Sequence, residues 1–470
     1  MFELHHLTAL EQLDWLRRGE VSPTELATHY LDRIDRLDGE LGAFTTVTRD
    51  AALERARQVE TSVPKAVPLW GLPLGDKDLW QRAGVRTTFG SRLMEHFVPD
   101  ESDEIVQVLD GAGGVSLGKT NAPEFGLPAY TESLVAPPAR TPWDTALGAG
   151  GSSGGAAVAV SAGLLPVAPG SDGGGSIRIP AAATGLVGLK PSRGRVPSGA
   201  GFLSLGGLVA AGPLARTVAD AALLLDAIAG ASPWSVGPPT WDGGAYLNAA
   251  VRGEGRYQLG VMTTSPWDEA YEITVSPEAS DALALARREL DALGHGIEDF
   301  GLEPSPEYAP AFRTIWQAGA ANIPAEGEQL DLLEPLTRWL VERGRSLGAR
   351  ELGVALQQLA AFERSVIRQF ASFDAVLTPA LAMTPRPVGW YDAEDGEHNF
   401  EQQVQYTPWT SFVNVSGLPA ITLPVAQTAD GLPMGVQLIG RPGREDVLLA
   451  IGAQLERHLS WQRRHPAAWG

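Results

Sequence analysis

The chain has 470 residues, 44% of them hydrophobic and 20% charged, an ordinary globular balance that supplies a large buried core and excludes wholesale disorder. Acidic residues outnumber basic ones 56 to 36, for a formal net charge of −20, and no dense run of Lys and Arg occurs, so nucleic acid is not an expected partner. Cysteine is absent, which excludes disulfides, thiolate metal sites and a thiol nucleophile.

Any nucleophile must therefore be oxygen or nitrogen. The first segment, MFELHHLTALEQLDWLRRGE, carries charges where a secretory signal would be apolar. No run of about 18 apolar residues follows it. The expectation is a cytoplasmic protein with no membrane partner.

Apolar positions in LTALEQLDWL and LATHYLDRIDRL fall at helical spacing, so residues 1–65 read as a helical segment packed on the core. Between the two runs, Ser22, Pro23, Thr24 and Glu25 form a capping box with proline at the first helical position, which starts a second helix there. About residues 68 to 80, VPLWGLPLGDKDL reads as a short buried strand entering a charged loop. Glu104 to Asp110 predicts a helix, GAGG a turn, and Val115 to Leu117 a strand. From about Gly148 to Arg195 glycine and alanine dominate and charges nearly vanish, yet apolar residues fill the gaps; flexible linkers are polar, so these are core elements.

ARTVADAALLLDAIAG is a helix with Thr217 as its cap, and a Pro/Gly/Trp-rich stretch covers about residues 231 to 256. YQLGVM then predicts a strand, residues 277 to 293 a helix, and about 327 to 372 a charged helical region. FDAVLTPAL, PAITLPVA and GVQLIG read as buried strands before the closing helix EDVLLAIGAQLERHL. Strands and helices alternate throughout, which argues for one α/β domain around a large mixed sheet.

Two motif matches mislead. GGVSLGKT, Gly113 to Thr120, fits the phosphate-binding pattern, but the strand residues lie inside it and Pro123 would disturb the helix that must start at Lys119. GGSSG, Gly150 to Gly154, fits the nucleophile elbow of α/β-hydrolases with Ser152 as nucleophile, a reading that needs a downstream histidine base. His295, His398, His458 and His465 follow, and none sits in an apolar, glycine-bounded loop that would present a base.

Three segments stand out together: GLPLGDKDL, which places Lys77 between two aspartates; GAGGSSGG; and PGSDGGGSIRIP. Each alone has an ordinary explanation, a solvated lysine or a glycine turn. Together they resemble the amidase signature family, whose signature block GGSSGGAAVAVSAGLLPVAPGSDGGGSIRIPAAATGLVGLKPSRGRV follows almost continuously. GKTNAPEFG, GPLARTVADAALLLDAIAG, FDAVLTPA and VNVSGLPAITLPVAQTADGLPMGVQLIGRP are similar to further family segments. The likeness covers nearly the whole chain and is weakest over residues 230 to 370.

The resemblance implies an α/β/α sandwich over residues 66–470, with the variable substrate pocket drawn from about 230–370. It implies a cofactor-independent, metal-free amide hydrolase in which Ser176 is the nucleophile, Ser152 relays its proton and Lys77 is the base. The chemistry suits these residue types, because an amide demands an activated alkoxide, oxyanion stabilisation and a protonated leaving amine. Lysine serves as a base only if burial leaves it neutral. In the family the bridging serine sits at a cis peptide. The amides of Gly173, Gly174, Gly175 and Ser176 would converge on the oxyanion, with Ser153, Asp172 and Arg178 supporting the two loops. Gly173 stands in place of the usual threonine or larger residue, and Thr184 in place of a common cysteine; neither touches the triad.

The expected partner is a small-molecule amide, and a homodimer stays open. The tail GREDVLLAIGAQLE is similar to bacterial amidases that act on cyclic oligoamides, aryl acylamides or carbamates, and esters are also open. A glutaminase component of a tRNA-dependent amidotransferase is the alternative, disfavoured by Ile179 where that subclass carries glutamine. A non-catalytic binding protein on the same fold is disfavoured because Lys77, Ser152 and Ser176 are all present. Pocket walls are expected within residues 305 to 345 and near Tyr406 to Phe412, where Trp316, Trp339 and Trp409 are either an aromatic lining or simply core.

Overall fold

The computed structural model describes residues 3–197, 205–230 and 245–470. Eleven strands lie among them: β1 Phe44–Val47, β2 Pro73–Lys77, β3 Val115–Thr120, β4 Val167–Asp172, β5 Val187–Lys190, β6 Ala210–Ala215, β7 Gln258–Val261, β8 Gly296–Asp299, β9 Ala375–Pro379, β10 Ala420–Gln427 and β11 Pro433–Gly440. Eight pair in the order β4-β6-β5-β10-β11-β9-β7-β8, antiparallel as far as β9 and parallel from β9 to β8. The large mixed sheet is thus present. The ladder of β1-β3-β2 stands apart from it as a second, three-stranded sheet.

Strands β4, β6 and β11 are buried at every residue, which is why they read as continuous apolar or glycine runs rather than as alternating ones. Helices cover both faces. One apolar cluster joins Leu13 and Tyr30 of the N-terminal helices to Leu74, Val158, Leu225, Ile421 and Leu449. A second, built on Trp267, Phe312, Phe362 and Phe412, packs against the large sheet through Val376 of β9, Ala420 of β10 and Ile439 of β11.

The N-terminal helices are Ala9–Arg18, Pro23–Leu41 and Arg49–Ser62. Ser22 Oγ accepts from the Glu25 amide at 3.1 Å while Glu25 Oε2 accepts from the Ser22 amide at 2.8 Å, the reciprocal box written in the sequence. The strand Phe44–Val47 between the second and third helices was not foreseen; four residues carry too little periodicity to announce a strand. The predicted strand at Val115 runs on to Thr120 and takes GKT into the sheet. Thr217 caps its helix through a 3.0 Å bond from the Asp220 amide. The charged region after residue 327 divides into a 3-10 turn Gly327–Leu332 and helices Pro335–Arg345 and Ala349–Gln369, the first of them opening on a proline. Of the Pro/Gly/Trp-rich stretch, residues 231–244 lie outside the described residues, and Tyr246–Arg252 is helical. Among the described residues no helix is long and apolar enough to cross a membrane.

The fold brings the end of β2, the loop before helix Gly154–Ser161 and the loop after β4 to one place. Glycine makes the close approach possible: a Cβ at Gly155 would lie 2.3 Å from the Asn121 amide nitrogen and 2.4 Å from the Ala43 carbonyl. Both are backbone atoms and cannot swing aside. Gly155→Ala is expected to destabilise the protein by about 1–3 kcal/mol, read as a lowered midpoint in denaturant unfolding.

Candidate active site

Lys77 is the last residue of β2 and is fully buried. Its Nζ lies 2.8 Å from Ser152 Oγ, 2.8 Å from Ser153 Oγ, 3.0 Å from Ser171 Oγ and 3.3 Å from the Ser171 carbonyl. No carboxylate pairs with it among the described residues. Burial therefore pulls its ammonium down to about 7, against the opposing influence of Asp172. Ser153 Oγ donates to the Ser171 carbonyl at 3.2 Å, so its proton is committed elsewhere. Ser152 has no such outlet, and its hydroxyl can give its proton to the lone pair of a neutral Lys77. Ser171 was not foreseen; a single serine inside a glycine-rich strand end carries no signal of its own.

Ser176 follows β4 and precedes helix Arg178–Thr184. The turn that presents it is organised by Asp172, whose carboxylate accepts from the Gly175 amide at 2.8 Å and the Ile177 amide at 3.2 Å. Arg178 grips the same carboxylate with two 2.9 Å bonds and reaches Gln437 Oε1 at 2.7 Å and Asn414 Oδ1 at 2.6 Å. Asn414 in turn donates to the Asp172 carbonyl at 2.8 Å. Burial alone would raise the Asp172 pKa; the Arg178 guanidinium outweighs it and holds the group well below the usual carboxylate range. In the sequence Asn414 and Gln437 stand out only as parts of family-like segments. A lone amide side chain inside an apolar run is the signal that was available, since a buried polar group needs a partner.

Gly175 has φ 135°, and a Cβ there would lie 2.6 Å from Ile179 Cδ1 and from Thr410 Oγ1. Its amide, however, is occupied by Asp172. Of the four amides expected to meet an oxyanion, those of Gly173, Gly174 and Ser176 have no acceptor among the described residues. Thr410 Oγ1 pins the loop by donating to the Gly174 carbonyl at 2.6 Å.

The two serine loops touch through the Ser153 amide, which donates to the Ser176 carbonyl at 3.1 Å. The Gly151–Ser152 peptide is cis. Among the described residues no hydrogen bond joins Ser152 Oγ to Ser176 Oγ. The structure thus places Lys77 and Ser152 in direct contact and Ser176 on the adjoining loop, and one contact of the expected relay is not made. The misleading motifs resolve as well: Lys119 is buried on β3, donating to the Trp80 carbonyl and to Thr87 Oγ1, and cannot meet a phosphate. Ser152 faces lysine rather than histidine.

Ser176 opens into a cleft walled by Leu127, Ile179, Trp267, Phe312, Trp316 and Phe400, with Gln403, Thr407 and Ser411 as its other polar side chains. Among the described residues no charged side chain lines it. Phe312, Trp316, Thr407 and Ser411 fall in the segments expected to form the pocket walls, and Trp267 falls only in the broader region of about 230–370; Phe400 falls in neither. Trp409 is core instead: it is fully buried and donates through Nε1 to the Thr263 carbonyl at 3.2 Å. Trp339 packs beside Phe400, behind the cleft wall. Among the described residues Glu3, His5 and His29 are the one carboxylate and imidazole group close enough to hold a cation. Their geometry is already explained by bonds from His5 to His29 at 3.2 Å and to the Trp469 carbonyl at 3.0 Å.

A family model described as Amidase matches residues 25–449. AmiB2 of Mycobacterium tuberculosis is 36% identical, covering 98% of this chain and 97% of its own length. A glutamyl-tRNA(Gln) amidotransferase subunit from Azotobacter vinelandii is 35% identical, covering 99% of this chain and 100% of its own length. The solved structure of 6-aminohexanoate cyclic dimer hydrolase superposes with a TM-score of 0.91 at 31% identity, covering 100% of both chains.

The Asp172–Arg178 pair generates one test. Arg178→Met leaves the buried Asp172 carboxylate without its cation and is expected to cost about 3–5 kcal/mol of stability, measured by denaturant unfolding; an unchanged midpoint would show that the pair does not hold the loops.

Proposed function

As a member of the amidase family this chain is an amide-hydrolysing enzyme, and we propose that it works through an acyl-enzyme on Ser176, with Ser152 as proton relay and Lys77 as base. The observation that carries this reading is the contact of a fully buried, charge-depleted Lys77 with Ser152. Ser176 Oγ attacks the amide carbon, its proton passing to Ser152 Oγ as the Ser152 proton moves to Lys77 Nζ. The oxyanion is taken by the amides of Gly173, Gly174 and Ser176. Collapse breaks the C–N bond, and the proton returns by way of Ser152 to the departing amine. Water then cleaves the ester by the same relay. The relay requires the Ser176 and Ser152 hydroxyls to come within hydrogen-bond reach during the reaction.

The uncharged, aromatic cleft favours a neutral, apolar acyl group. Similarity to the amidotransferase component supports a second reading, a glutaminase. Free glutamine carries an ammonium and a carboxylate, and burying either without a partner is costly. Among the described residues the cleft offers no charged partner, so we favour an amidase of neutral substrates such as anilides, aliphatic amides or cyclic diamides.

A hydrolysis panel of anilides, aliphatic amides, cyclic diamides, carbamates and glutamine, read by mass spectrometry, is expected to give products with the neutral amides and none with glutamine. Ser176→Ala is expected to lower kcat by at least ~10⁴-fold and to abolish labelling by a fluorophosphonate probe. Persistence of either signal would remove Ser176 from the chemistry.

The pH dependence follows from the sign of the lysine shift. Lys77 is neutral, and so a base, above about 7, and protonated below it. In wild type kcat/KM should therefore rise with pH along a limb with an apparent pKa near 7. Lys190 is also buried and pulled down to about 7, but its Nζ donates to the Pro191 carbonyl and it is not among the cleft-lining residues. The limb should survive in Lys190→Met, and turnover should be lost in Lys77→Ala; the opposite pattern would assign the base to the wrong lysine.

A further inference from the structure

The cleft beside Ser176 is apolar, yet its wall holds donor hydrogens with no acceptor among the described residues. Gln403 lines the cleft from helix Gly396–Tyr406. Its Oε1 accepts from the Ala129 amide at 2.8 Å and its Nε2 donates to Asn399 Oδ1 at 2.7 Å, which fixes the orientation of the amide. A primary amide has two N–H bonds. The second has no acceptor among the described residues.

Ser411 repeats the pattern. Its Oγ accepts from Trp267 Nε1 at 3.0 Å and lies 2.7 Å from the Tyr308 hydroxyl. Two hydroxyls share that one contact, so one hydroxyl hydrogen is left over whichever oxygen donates. Tyr308 is 1% exposed and has no other acceptor among the described residues, so a leftover hydrogen there would be buried and unsatisfied, at a cost. Tyr308 donating to Ser411 avoids this and leaves the spare hydrogen on Ser411, which lines the cleft. Thr407, the remaining polar side chain, donates to the Gln403 carbonyl at 2.9 Å and is satisfied.

An apolar cleft with two unclaimed neutral donors fits a ligand acceptor. A carboxylate is the wrong acceptor, because among the described residues no cation lines the cleft to offset its loss of water. A neutral carbonyl is the right one. We propose that the substrate of this enzyme carries a second neutral carbonyl, an amide, ester or ketone, in the part bound in the cleft, and that Gln403 Nε2 and Ser411 Oγ recognise it. The proposal rests on the reading of Ser176 as the amide-cleaving nucleophile and names the class of acyl group that this nucleophile receives.

The test uses matched substrates: heptanoyl 4-nitroanilide and its 4-, 5- and 6-oxo analogues, which differ by one carbonyl. Wild type is expected to favour at least one oxo compound in kcat/KM by ~10-fold or more, the discrimination a site built around a hydrogen bond makes against an analogue lacking its partner. In Gln403→Leu and in Ser411→Ala that preference should shrink toward one. Binding of the same four compounds to Ser176→Ala, followed by calorimetry, should reproduce the preference without turnover. Equal treatment of all four by wild type, in turnover and in binding, overturns the proposal, as does a preference that survives in both variants. Loss of all four substrates alike in the variants would make Gln403 and Ser411 structural and overturn it too. A preserved binding preference with no turnover of any anilide and no fluorophosphonate labelling would instead sink the nucleophile assignment while the recognition site stood.

Discussion

Lys77 sits at the end of a fully buried strand with serine oxygens around its Nζ and no carboxylate in contact. An ammonium there would lose its water and gain no counter-charge, so the neutral amine is favoured near neutral pH. The rest of the site depends on this one imbalance. If Asp172 paired directly with Lys77, the lysine would be a permanent cation and could take no proton from Ser152. Asp172, the carboxylate whose charge acts on Lys77, is instead committed to Arg178, with both oxygens engaged.

That commitment has a second consequence. Asp172, having a cation of its own, can spend its remaining acceptor capacity on the Gly175 and Ile177 amides, and so shapes the turn that presents Ser176. Arg178 ties the turn to β11 through Gln437 and to the segment after Thr410 through Asn414. One buried ion pair thereby isolates the proposed base electrostatically and fixes the proposed nucleophile geometrically. Such pairs contribute little net stability but are costly to break, which suits a part whose role is position.

The cleft obeys the same physical constraint from the opposite side. Among the described residues its walls carry aromatic rings and no charge, so polar contacts made there are made in a medium of low polarity and count for more than they would in water. Gln403 links this wall to the loops of the proposed relay, because it holds Ala129 in the segment whose next residue, Tyr130, lies against Gly151. The proposed recognition site and the proposed relay therefore share one set of loops.

The sequence by itself determined the class of nucleophile, by lacking cysteine, and the alternation of strands and helices that makes a mixed α/β sheet. Through resemblance it also marked Lys77, Ser152, Ser176, Asp172 and Arg178, because short glycine-rich loops keep their residues in recognisable order. The capping box at Ser22 was equally local and equally legible. Only the tertiary structure decided which amides remain free for an oxyanion, since Gly175 loses its own to a carboxylate three residues earlier once the turn closes. It alone decided that Trp267 and Phe400 wall the cleft while Trp409 is core, and that Asn414 and Gln437 complete a network 236 and 259 residues from Arg178. The reason is physical: local pattern sets which face of an element is apolar, but desolvation, pKa and hydrogen-bond partner are properties of everything packed around a group, and the chain reveals those neighbours only when it folds.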